Sequence, residues 1–587
     1  TISAGTLQIG DGGTSGSISG DILDNAALVF DRSDTVTYNG TISGNGTLTQ
    51  QGSGKLILEG VNTYSGTTTV AAGSLIVGGS SGSTASLSSD VDVKSGALLG
   101  GHGSIIGDVS VASGATLAPG NSIGTLSVDG DVTFESGSVL AIEANPDGSS
   151  DRLEATGTVT LGGAALSVLG GAGNWSPTTQ YSIIEAGSLS GTFGVITSDL
   201  AFLTPTVTYT DNSATLNLTR NDIAFAEVAD TRNQRAVANA LASGSGSLAD
   251  AALSLNAAQA RQAFDSLSGE LYASARGAML GDSYQIREAL GEHLRNVPTG
   301  QAAGDELHHD AASGLTFWLR SYGNWSQHDG NHNVADIDND NRGTLLGIEL
   351  PLNDTWRAGL AAGYGTSDLN VHDRSSSADV DNTTLAAYLG GQWQAINLRL
   401  GVARTWSDVD SKRDVRVGDL SETLKAGYDA TTTQAFGELG YRVQINDLSL
   451  EPFAGLAHVE VSSDGVHEHG GDAALNASSE KDRVDYASLG VRGETPLGRI
   501  ANRPLELRGG LAWQHALQTP DGDTRMTLAG YDSFTVQGVP VAQDTAQVQL
   551  GVSQQLAPQA SVDLGYSGQF GSGTRDHGLR AGVSIAF

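Results

Sequence analysis

Four short stretches carry residue types that could do chemistry. "GNSIG" (Gly120–Gly124) has the G-x-S-x-G spacing of a nucleophile elbow, which needs a strand before it, a helix after it, and a histidine and an acid nearby. Here it lies between two short strands of a glycine-rich stretch, so a plain turn is expected. "GGTSG" (Gly12–Gly16) also sets a serine between glycines, without the residues that should follow a nucleophile. "DIDNDN" (Asp336–Asn341) alternates oxygens as a Ca²⁺ loop does, but lacks the glycine at position six and the glutamate at position twelve, where Gly347 stands. It reads as a solvated loop. "HEHGG" (His467–Gly471) could offer Zn²⁺ an H-x-H pair, with no ordered third ligand beside it. No catalytic residue, metal or cofactor is assigned.

A second class of residue is more informative. Arg320, Arg357, Arg399, Glu438, Arg492, Glu506 and Arg508 fall in the middle of alternating, strand-like segments. In "LELRGGLAW", Leu505, Leu507, Gly509, Leu511 and Trp513 share one face, while Glu506, Arg508, Gly510 and Ala512 share the other. Such charges cannot face lipid cheaply, so they are expected to point into a lumen. Arg276, Asp282, Arg287, Glu288 and Arg295 of an upstream helical segment are their candidate partners.

The elements that must hold these charges follow from periodicity. Twelve strands are expected near 314–325, 342–352, 355–366, 381–395, 397–408, 429–445, 447–461, 481–497, 503–516, 541–557, 560–571 and 575–587. They are long enough to cross a bilayer when tilted, and Trp and Tyr recur near their ends. Short connections such as "NDT" and "APQ" alternate with long ones at 326–341, 367–380, 409–428, 462–480 and 517–540. A transmembrane antiparallel β-barrel is the expectation over 314–587; a soluble sandwich would alternate too, but would not bury charges mid-strand.

Residues 223–313 are expected to form an α-helical linker threading that barrel, since Ala, Arg, Glu, Leu and Gln dominate it. Phe264, Leu267 and Leu271 fall at i, i+3, i+7, and the next turns carry small residues, which suit a narrow space.

Residues 1–149 have short apolar runs punctuated by Gly, Asn and Asp, and "TISAGTLQIG" reads as the same unit as "TTVAAGSLIVGG". That pattern predicts stacked coils, a right-handed parallel β-helix. The chain opens inside a repeat, as part of a longer array would. Residues 150–222 lose the spacing and gain Trp175, Phe193, Phe202 and Tyr209, and read as a cap on the solenoid.

Composition agrees. The chain has 31 Lys+Arg against 65 Asp+Glu, a net charge of −34, which excludes a nucleic-acid partner. Cys is absent, so the unfolded chain cannot be cross-linked while crossing an oxidising compartment. No run of about 18 apolar residues encodes a membrane helix.

A β-helix, a small-residue helix and a twelve-stranded barrel ending on Phe587 together resemble an autotransporter, the type V secretion architecture of Gram-negative bacteria. "GNGTLTQQGSGKLILEGVNTYSGTTTVAAGSLIVGG" (44–79) is similar to the passenger-associated transport repeat, and the style of residues 100–134 is similar to rungs before an autochaperone region. "LSGELYASARGAML" (267–280), "TFWLRSYGNW" (316–325), "FGELGY" (436–441) and "EPFAGLAHVEV" (451–461) resemble barrels behind subtilisin-like serine-protease passengers. The resemblance implies an outer-membrane translocation unit, itself not an enzyme, that secretes an N-terminal passenger and displays it outside the cell. It implies contact with outer-membrane lipids and lipopolysaccharide, assembly by the barrel-assembly machinery with periplasmic chaperones, a monomer, and no cofactor. Leu579, Ala581, Val583, Ile585 and Phe587 resemble the signal which that machinery reads. The paired-Asn motif with which some relatives cut themselves is absent from 256–297, so self-cleavage is not implied. A secreted protease with its catalytic domain upstream of Thr1, a β-helical adhesin and a general porin remain open alternatives.

Overall fold

The computed structural model describes residues 1–587 except Ala172, Asn174, Pro177, 297–313 and Pro558. It divides into two compact units, Thr1–Ala224 with Gly246–Ala260 and Val417–Asp419, and Phe225–Ser245 with Arg261–Arg416 and Leu420–Phe587.

The first unit is a parallel β-helix. Its short strands pair one rung to the next in two long sheets and a two-stranded one. A parallel ladder in register sets each inward position above the next, and in one column the residue itself repeats. Leu56, Leu75, Leu99, Leu117, Leu140 and Leu166 form one continuous column through five successive pairings. All six are buried, and each gains the transfer energy of a full leucine side chain, about 1.5–3 kcal/mol. Parallel pairing does not stop at residue 149: Arg152–Thr160 stacks on Thr125–Asp129, and Ala165–Gly170 on both Val139–Ala144 and Val195–Ser198. Antiparallel strand pairing joins Thr178–Ser190, Leu203–Tyr209 and Ser213–Arg220, beside the last rungs. The rungs outlast the regular glycine spacing because register needs only an apolar residue at each inward position. "GNSIG" is a turn between Thr116–Pro119 and Thr125–Asp129, with no helix after it.

The second unit is a barrel of twelve antiparallel strands: β1 Thr316–His328, β2 Ile337–Pro351, β3 Trp356–Val371, β4 Ser376–Trp393, β5 Ile396–Val417, β6 Leu420–Tyr441, β7 Leu448–Ser463, β8 Glu480–Ile500, β9 Arg503–Ala516, β10 Asp544–Ala557, β11 Ala560–Gly571 and β12 Thr574–Ala586. It closes between β1 and β12, in register from Thr316↔Ala586 to His328↔Thr574. Closure removes the unpaired edges that an open sheet would present. Leu346, Leu360, Leu385, Leu456, Leu511 and Leu550 are each more than half exposed on the outer face, a belt that water would not tolerate and lipid requires. Trp325, Tyr364, Trp406 and Trp513 rim it on one side, and Trp356, Trp393 and Tyr441 on the other. No helix among the described residues is long and apolar enough to cross a membrane.

Three expected loops are strands. β5 and β6 run 22 residues each and turn at Gly418–Asp419, so most of 409–428 is ladder. β3 and β4 extend to Val371 and from Ser376, leaving only a short 3-10 turn at His372–Arg374. Of "DIDNDN", all but Asp336 lies in β2, where Asn339 and Asn341 point inward and Asp338 and Asp340 outward. A strand sends alternate oxygens to opposite faces, so the stretch cannot close round one cation as a loop would.

Candidate functional site: the plugged lumen

The linker begins in the second unit with α1 (Arg232–Ser243), which Thr231 and Gln234 start with a reciprocal capping box. α2 is Ser247–Ala252, α3 is Ala257–Leu267, and α4, Glu270–Asn296, runs 27 residues, about 40 Å at 1.5 Å per residue. That length spans the lumen. Residues 297–313, the remainder of the expected linker, lie outside the described residues.

One side of α4 packs on the wall. Ile286, Ala289, Leu290 and Leu294 form a buried cluster with Trp318, Leu345, Ala361, Ala386, Tyr388 and Ala403. His293 stacks on Trp318 at 4.6 Å between ring centroids, and its Nε2 lies 3.1 Å from Glu349 Oε2. Glu349 also lies 3.6 Å from Arg357, which donates to the Leu294 carbonyl.

The other sides of the helix meet charge. Arg276 reaches Asp482 at 2.6 Å, and Glu288 lies 3.5 Å from Arg580. Glu292 pairs with Arg320, which also bonds Asp563 at 3.1 Å, and with Arg580 at 3.4 Å. Arg295 pairs with Glu288 within the helix. Asp282 and Arg287 meet neutral partners instead. Asp282 accepts from Asn339 at 2.9 Å and Ser367 at 3.3 Å; Arg287 donates to Gln434 at 3.0 Å and lies over Tyr284 and Tyr486.

Five expected lumen charges pair along the wall. Arg399 bonds Glu438 at 2.8 Å and Glu451 at 2.6 Å, and Arg492 bonds Glu438 at 2.7 Å. Arg508 bonds Glu506 at 3.0 Å. Leu579, Ala581, Val583, Ile585 and Phe587 all face outward, and Phe587 meets Phe317 edge-on at 5.7 Å.

The sequence reading missed Glu292, His293, Glu349, Glu451 and Asp563. Strand parity could have found three of them: Glu349 shares the inward face of β2 with Leu345, Glu451 that of β7 with Phe453, and Asp563 lies beside Arg320. On α4, Glu288, Glu292 and Arg295 stand at i, i+4 and i+7, a charged stripe on one face.

Residues 317–567 match the family profile described as autotransporter beta-domain, and residues 48–77 match the passenger-associated-transport-repeat. The barrel is an autotransporter β-domain. Such a domain is an outer-membrane translocator and not itself catalytic. The chain is 31% identical over 317 residues to an extracellular serine protease of Serratia marcescens, covering 54% of this chain and 30% of that protein. It is 49% identical over 106 residues to the adhesin BmaC autotransporter of Brucella suis biovar 1, covering 18% of this chain and 3% of that one. Among solved structures it is similar to the translocator domain of NalP from Neisseria meningitidis, with TM-score 0.42 and 16% identity over 54% of this chain and 99% of that one. The chain thus spans less than a third of the serine-protease relative's length.

Proposed function

We propose that the β-domain passes the N-terminal β-helical passenger across the outer membrane and keeps α4 behind as a plug. The direction of α4 carries this reading. Its first residue, Glu270, bonds Arg374 at the long-loop end of the barrel, and His293 bonds Glu349 toward the short-turn end. The chain N-terminal to α4 therefore emerges on the loop side, which in an outer-membrane barrel is the outside. Lipid and lipopolysaccharide surround the leucine belt, the translocator works as a monomer, and the outward strand ending at Phe587 is what the barrel-assembly machinery and periplasmic chaperones handle. The test is protease shaving of intact cells. Residues 1–222 should be digested from outside while the barrel stays intact; protection until lysis would sink the reading.

The parent protein is a secreted serine protease in the reading that the Serratia relative supports, and a subtilisin-like one by the barrel motifs of the sequence. The BmaC stretch supports a β-helical adhesin instead. An Asp/His/Ser set encoded upstream of Thr1 separates the two, since an adhesin needs none.

A further inference from the structure

The loops at the outer mouth are folded, and what they fold on is the linker. Val466–His467, Leu475–Ala477, Asp523–Leu528 and Phe534–Gln537 form a four-stranded sheet built from two loops of the barrel. Its strands have two, three, six and four residues, too short to stand alone. Leu475, Met526, Leu528 and Val536 are nevertheless fully buried. Part of their cover is the turn between α3 and α4. A Cβ on Gly269, which sits at φ +65°, would fall 2.4 Å from Leu475 Cδ1 and 2.8 Å from Met526 Sδ. A Cβ on Gly538 would fall 2.5 Å from the backbone of Ala273.

The polar contacts point the same way. Asn233 of α1, fully buried, treats Gln537 as a strand neighbour: its Nδ2 donates to the Gln537 carbonyl at 2.9 Å, and its Oδ1 accepts from the Gln537 N–H at 3.0 Å. Arg276 of α4 donates to Thr524 Oγ1 at 2.8 Å and to the Asp523 carbonyl at 3.0 Å, besides its pair with Asp482. Glu270 accepts from the Ala335 N–H at 2.6 Å and pairs with Arg374 at 3.3 Å, drawing in two further loops. Arg232 and Ser243 add contacts to Asp523 and to the Asp532 N–H.

Without the linker, this sheet would leave these polar partners unmet and its apolar residues in water, both unfavourable. We propose that the outer loops are a conditional lid: they stay open while the passenger is in transit and close only when Asn233, Glu270 and Arg276 arrive. Closure then seals the mouth above the plug. The inference rests on the passage reading above.

The Cys-free chain allows a direct test. Val536→Cys, a near-isosteric change at a fully buried site, is placed in the full chain and probed on intact cells with a membrane-impermeant maleimide. The parent should be protected. Adding Asn233→Ala, or separately Arg276→Met, should raise labelling at least tenfold while the barrel keeps its heat-modifiable migration on gels. Protection unchanged in both variants, with the barrel folded, overturns the lid. Shaving of residues 1–222 is read on the same cells: a passenger that never reaches the surface defeats the passage reading, whereas a displayed passenger with unchanged protection defeats the lid alone.

Discussion

Arg413 and Glu468 face each other at 2.7 Å with almost no solvent on either side chain. Tyr272 of α4 adds its hydroxyl to the same carboxylate at 2.6 Å, and the Leu475 N–H adds another bond at 2.8 Å. A buried pair of this kind contributes little beyond what an apolar pair would, but losing one partner strands a charge. Arg413→Leu alone should cost about 3–5 kcal/mol, read as a lower temperature for heat-modified migration. Arg413→Leu with Glu468→Leu should recover much of that loss. Equal losses in the single and double variants would refute the argument.

The leucine column of the stem sets a second expectation. Leu117 sits inside it between Leu99 and Leu140, so Leu117→Ala should cost about 2–5 kcal/mol. Limited proteolysis of the displayed stem should then cleave near that rung, with barrel migration unchanged.

Burial pushes the Asp151 carboxyl up to about 7, against the pull of two backbone N–H donors, Glu143 at 2.8 Å and Gly124 at 2.9 Å. The folded stem therefore holds a proton that the unfolded chain releases near 3.8. Stability from this group is complete below the unfolded value and is lost as pH rises through the folded one. Amide exchange around Gly124 and Glu143, corrected for its intrinsic pH dependence, should quicken between about pH 4 and 7, and Asp151→Asn should flatten that slope. An unchanged slope in the variant would exclude Asp151 as its source.

Asp340, Asp368, Asp379 and Asp410 stand directly opposite one another on four adjacent strands, β2 to β5, above the aromatic rim. Like charges in cross-strand pairs repel, by about 0.2–1 kcal/mol a pair. Burial and these neighbours raise the Asp379 carboxyl above its usual range. Asp379→Asn should therefore stabilise the barrel rim, seen as a higher unfolding temperature at neutral pH that shrinks in acid.

Phe587→Ser removes the outward aromatic that meets Phe317 at the seam. Assembled barrel in the outer membrane should fall severalfold, measured by heat-modifiable migration, with the unassembled chain accumulating in the periplasm. Normal assembly would mean that Phe587 is not part of the signal.

Most of the barrel was legible because lipid and lumen impose opposite demands on alternate residues. Where it was not legible, the demand had reversed. In β5, Leu398, Leu400 and Val402 face out and Arg399 faces in; past Trp406 the outward residues are Asp408, Asp410 and Lys412, and Val409, Val415 and Val417 turn inward. Parity along the strand is unbroken, but the apolar face changes side, so a search for one continuous apolar face ends at the rim. The lid was hidden for another reason. Its residues are apolar only at scattered points, and the surface that buries them is the linker, far away in sequence. Asn233 gives no local signal at all, since its role depends on Gln537. Arg320 and Arg399, by contrast, are buried on the inward face that strand parity assigns them.

That reversal at Trp406 has a geometrical consequence. A 22-residue strand is roughly 70 Å long at 3.3 Å per residue, about twice what a tilted crossing of the hydrocarbon needs. The surplus in β5 and β6 stands beyond the aromatic rim as a water-facing hairpin. On the passage proposed above, cargo is released past this extension, clear of the headgroups.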